Sequence, residues 1–265
     1  MILSSPLLLN SITDADKTAK GRVVVCGSHG GLYPAFLAAK AGVRAVIFND
    51  AGIGYEDAGI AGVMALGDIG IAAAAADHDS CRIANADDMM ARGTISAVNS
   101  LAKKLGVAVG ESVTDANQKM SDAESSDKFL DNVDETRQVL PLEDVSKPVI
   151  LVDSASLVVS GDEGAIVITG SHGGLIGGDP GRALKAKAAF AVFNDAGGGL
   201  ENAGITRLPA LDSQQIAAVT IAHTSARIGD AKSALQTGVI SVANDTAIAH
   251  GIRKGDRLRA ALEKL

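Results

Sequence analysis

The chain of 265 residues has no tryptophan, two cysteines, six prolines and only seven aromatic residues, five Phe and two Tyr. So small an aromatic complement argues against a base-stacking platform for single-stranded nucleic acid. Two cysteines cannot build a disulfide framework, and no Cys-x-x-Cys pair with metal-ligand spacing occurs, which points to a reducing compartment. The N-terminal MILSSPLLLN lacks a basic stretch, and its run of three Leu is too short for the apolar region of a signal peptide. A run of low polarity such as residues 69–76 falls far below the ~18 residues that span a bilayer. These absences lead to the expectation of a cytoplasmic protein with no membrane partner.

Basic charge in excess is also lacking. The net charge is −7, whereas a phosphate backbone asks for a basic face, so no nucleic-acid partner is expected. The acidity is local: residues 111–147 hold ten Asp and Glu against four Lys and Arg, leaving 21 acids against 20 bases elsewhere.

What the chain does contain is itself, twice. GSHGGL at 27–32 recurs at 170–175, and FNDAG at 48–52 recurs at 193–197. From there 48–110 aligns without a gap on 193–255, and 27 of those 63 positions are identical. This is a tandem duplication of a domain-sized unit. It predicts a first repeat over 1–123, an acidic linker over 124–146 with one helical turn around FLDNV, and a second repeat over 147–265.

Within a repeat the order reads strand, strand, helix, strand, helix, strand, helix. PLLLN, RVVVCG, RAVIFND and IAAAAADH are apolar runs without alternation; AFLAAKAGV is helical and TISAVNSLAKKLG reads as an amphipathic helix. Continuous apolar strands alternating with helices indicate a mostly parallel sheet covered on both faces. The fold class is therefore α/β, a duplicated three-layer unit, with the copies expected about a pseudo-twofold axis. Ala- and Gly-rich helices suit close self-association, so a homo-oligomer is expected.

In such sheets ligands bind beyond the carboxyl ends of the strands. The polar residues common to both repeats crowd there. Ser28, His29, Gly30 and Gly31 match Ser171, His172, Gly173 and Gly174. Asn49 and Asp50 match Asn194 and Asp195, and His78, Ser80 and Arg82 match His223, Ser225 and Arg227. The six His and Asp are the candidate acid/base groups. The glycine pairs would bring backbone N–H groups to a substrate oxygen, and the arginines would hold a carboxylate or other polarised oxygen. Cys26 and Cys81 face Thr169 and Ala226, so duplicated chemistry cannot run through thiols; they read as buried and inert.

No dinucleotide fingerprint or phosphate loop is present, and no cofactor is called for. The pattern points to a hydrolase of a small polar amide, imide or lactam. One alternative is an enzyme using a divalent metal held by His29, Asp50 and His78, or by His172, Asp195 and His223. Another is a two-lobed, non-catalytic binder of a small anion.

Overall fold

The computed structural model describes residues 5–131 and 133–265. Its described residues divide into two compact units, one formed by 5–53, 57–131, 133–134 and 199–201, the other by 54–56, 135–198 and 202–265. Among the described residues no helix is long and apolar enough to cross a membrane.

In the first unit β1 (Leu7–Leu9) and β2 (Val23–His29) precede α1 (Leu32–Lys40), β3 (Ala45–Asn49), α2 (Ala61–Asp68) and β4 (Ala72–Ala76). These four strands are parallel and lie side by side in chain order. α3 (Ala86–Arg92) leads to β5 (Ile95–Val98), which pairs antiparallel with β4 and closes the edge; α4 (Ser100–Lys104) and α5 (Val113–Met120) follow. Side chains alternate between two cores. Val24, Val46, Phe48, Ala73 and Ala75 meet α1 and α2. Val25, Ile47, Ala72, Ala74 and Ala76 meet Met89 of α3 and Val113, Ala116 and Met120 of α5. This alternation explains how five consecutive alanines become a strand. They are fully enclosed by layers on both faces, where their small side chains complement Ile47 and Phe48 on β3.

The second unit opens with β6 (Arg137–Leu140), antiparallel to β7 (Val149–Val152). β8 (Ile166–His172), β9 (Phe190–Asn194), α6 (Arg207–Asp212), β10 (Ala217–Ile221), α7 (Ala231–Thr237), β11 (Ile240–Ala243), α8 (Asp245–Ala249) and α9 (Leu258–Ala261) follow. β7 to β10 are parallel, and β6 and β11 are antiparallel edges of a six-stranded sheet. Each unit is thus an α/β fold on a mixed, mostly parallel sheet.

Three expectations need correction. TISAV is a strand: Ile95 and Ala97 are buried while Ser96 and Val98 are half-buried, a period of two, and the helix starts only after Asn99, whose side chain accepts from the N–H groups of Leu101 and Ala102. The acidic segment is more than a linker, because it supplies β6. Its described residues form no helical turn around FLDNV, where Asn132 lies outside the described residues. The second unit lacks a counterpart of α1. Residues 176–182 form short 3-10 turns, with Gly177 and Gly178 at φ 62° and 72° and Pro180 at a turn start.

Candidate active site

The register of β3 and β4 creates the centre of the site. Asn49 lies opposite Ala76, so the next residues, Asp50 on one strand and Asp77–His78 on the other, emerge together from the carboxyl edge. His78 Nδ1 lies 3.0 Å from Asp50 Oδ1, which also accepts the N–H groups of His78 at 3.0 Å and Gly52 at 2.9 Å. The second unit repeats this: His223 Nδ1 is 3.0 Å from Asp195 Oδ1, which accepts from the N–H groups of His223 at 2.8 Å and Gly197 at 3.0 Å. The carboxylate can only accept, so Nδ1 carries the proton and the lone pair of the neutral imidazole sits on Nε2.

The carboxylates are buried and the imidazoles reach solvent; side-chain exposures are 3% for Asp50 and 21% for His78. Burial alone would lift the Asp50 carboxyl, but hydrogen bonds from His78, Gly52 and Ser96 outweigh it and hold the group below its ordinary value. Asp195 is held down likewise by His223 and Ser241 against its burial. The bond to Asp50 raises the His78 pKa, partly offset by burial and reinforced by the charges of Asp50, Asp79 and Asp77. Ser96 and Ser241 were not among the expected site residues. Their identity in the two repeats was the available signal.

The other matched residues organise the loops. Ser28 Oγ accepts from the Ile12 N–H and Ser171 Oγ from the Ala155 N–H. Asn49 and Asn194 each accept the N–H two residues on. Ser80 Oγ donates to the Asp77 carbonyl and accepts from Thr94, and Ser225 makes the same pair of bonds with Ala222 and Val239. Arg82 is paired with Asp88 and Glu201 within the first unit, and Arg227 with Asp230 and Glu56 within the second. Both guanidinium groups already hold carboxylates.

The glycine pairs act through size. A Cβ on Gly30 would come within 2.6 Å of Val63 Cγ2, and one on Gly173 within 2.6 Å of the Gly204 carbonyl. Their N–H groups donate inside the protein, Gly30 to Asn49 and Gly173 to Asn194. Gly31 and Gly174 donate to Nδ1 of His29 and His172 at 3.1 and 3.2 Å. These four donors therefore do not make the oxygen hole expected from the sequence. Accepting at Nδ1 places the His29 proton on Nε2, and burial pushes its pKa down to about 4, so His29 is a neutral donor at pH 7.

The metal set expected from the sequence does not gather. Among the described residues the group with three mutually close ligand atoms is Asp50, Asp77 and His78, within 4.8 Å, without His29. The second unit has Ala222 in place of Asp77. Cys26 and Cys81 are buried, and burial pushes both thiols up to about 12. No family model, curated protein or solved structure matches the chain.

Proposed function

We propose that the chain is a hydrolase of a small polar amide, imide or lactam, with His78 and its counterpart His223 as acid/base groups. One observation carries this reading: an Asp–His pair, with the same three hydrogen bonds into one carboxylate oxygen, occurs at strand ends in both units. A buried carboxylate that fixes Nδ1–H and stabilises the imidazolium makes Nε2 a stronger base. In the reaction Nε2 removes a proton from water as its oxygen attacks the carbonyl carbon. The imidazolium then returns that proton to the departing nitrogen as the C–N bond breaks, so one water is consumed. His29, a neutral donor from the neighbouring strand β2, is the group suited to the developing oxyanion.

The test is a panel of succinimide, hydantoin, dihydrouracil and simple amides, followed by mass spectrometry for addition of one water. Turnover is expected on a member of the panel, and the double variant H78A/H223A should lower it by roughly two to four orders of magnitude. A panel without turnover, or full activity in the double variant, sinks the proposal. A divalent cation on Asp50, Asp77 and His78 is a second reading, favoured by the 4.8 Å grouping. It requires a ring with Nδ1 unprotonated, so at a pH where His78 is imidazolium zinc titration should liberate one proton per site, and Asp77→Asn should abolish that release.

A further inference from the structure

A cavity of about 590 Å³ lies in the first unit between α1 and the turns that follow β1. Three exposed lysines line it, Lys17, Lys20 and Lys40, against one acid, Asp16. Asp16 Oδ1 is engaged by the Thr18 N–H at 2.8 Å and the Thr18 hydroxyl at 2.5 Å. Among the described residues none of the three lysines has a carboxylate partner, whereas Arg82, Arg92, Lys119, Arg137, Arg227 and Lys264 all do. Three like charges around one concavity repel one another, and an anion placed among them removes that cost. In a chain of net charge −7 this is a local reversal of sign.

The floor is apolar. Ile12 is buried beneath it, Leu37 and the half-buried Tyr33 stand along α1, and the Lys40 ammonium lies 5.9 Å from the Phe36 ring. A bare inorganic ion would leave these surfaces uncovered; a ligand with an anionic head and a flat apolar body would cover them. The duplicate does not repeat the lysine triad. Ser160 and Glu163 stand where the first repeat has Lys17 and Lys20, Lys185 Nζ donates to the Ser156 carbonyl, and α1 has no counterpart. The lysine triad is therefore a feature of the first unit.

We propose that this cavity binds an organic phosphate monoester, its phosphate held by Lys17, Lys20 and Lys40 and its apolar body lying on Tyr33, Ile12 and Leu37. The site stands apart from the Asp50–His78 pair, which does not line it. The probe is 1-naphthyl phosphate, titrated calorimetrically into the full chain, with 1-naphthol and inorganic phosphate as comparisons. One-to-one binding is expected, at least about tenfold tighter than either comparison and weakening as KCl rises. The exposed triple variant K17Q/K20Q/K40Q should keep the native circular dichroism and lose about tenfold or more in affinity, and Lys185→Gln should bind as the parent does. No binding of the ester at millimolar concentration overturns the proposal. So does unchanged affinity in the triple variant, or a comparison compound that binds as tightly as the ester.

Discussion

At the scale of single residues, the two histidines of the first unit pull stability in opposite directions with pH. His78 has a raised pKa, so its contribution is complete below the ordinary imidazole value of 6.5 and is lost as pH rises through its folded value. Asp50 has a lowered pKa, so its contribution is complete above 3.8 and is lost as pH falls through its folded value. Between 3.8 and 6.5 both are at their maximum. His29 is buried in its neutral form with a pKa of about 4, so across the same range its burial costs more stability as pH falls. Asp50→Asn separates these effects, because His29 is unchanged in the variant. The difference in urea midpoint between the parent and Asp50→Asn should peak between pH 4 and 6.5 and shrink on either side. A difference flat with pH would mean that the pair is not ionised as described. The His78 ring proton followed by NMR should titrate above 6.5 in the parent and lower in Asp50→Asn.

Elements were legible where one physical signal ruled. β2, β3 and β9 each open on an apolar run of four residues, and a sheet covered on both faces is what such runs build. Strand-end Asp and His were legible because the repeats preserve them, but that same preservation marks Ser28, Asn49 and Ser80, whose work is to tie loops. Spacing alone cannot separate an oxygen that accepts a turn N–H from one that faces a substrate. β5 resembles helix in the sequence because its four residues of alternation run straight into the helix start at Asn99. The missing helix of the second unit, disfavoured locally by Gly177, Gly178 and Pro180, has a long-range accompaniment. Gly62 lets α2 approach α1 closely, since a Cβ there would sit 2.1 Å from the Gly31 carbonyl. Arg207 occupies the aligned position of the second repeat. Its guanidinium is buried 5.1 Å from the Phe193 ring and donates to the carbonyls of Gly174, Arg182 and Ala183. Burial brings its pKa down to about 10, and its charge is held by these carbonyl dipoles. Arg207 thus satisfies the backbone of the irregular segment that replaces a helix. Arg207→Met should cost about 2–4 kcal/mol in urea unfolding, because the carbonyls lose their donor. A loss below about 0.5 kcal/mol would show that water serves them equally well.

Across the whole molecule, duplication set two sheets and two Asp–His pairs, and divergence then gave each unit private features: Asp77, Asp79, the lysine cavity and both thiols in the first, Arg207 and β6 in the second. The thiols offer a way to watch the first unit open. Cys26 belongs to the core under α1 and α2, and Cys81 to the core under α3 and α5, so they sit on opposite faces of one sheet. Both are fully buried, and with pKa values pushed up to about 12 the thiolate that reacts with a disulfide reagent is scarce at pH 8 even where reagent can enter. Native protein should therefore show no reactive thiol over minutes and two in 6 M guanidinium. In intermediate urea the order of reaction reports which helical layer leaves first. If the layers separate together, as expected for a cooperative unit, both thiols should appear in one phase whose midpoint matches circular dichroism. Mass spectrometry of singly modified protein decides the matter, because a species labelled only at Cys26 or only at Cys81 would mean that one face of the sheet is uncovered while the other stays closed.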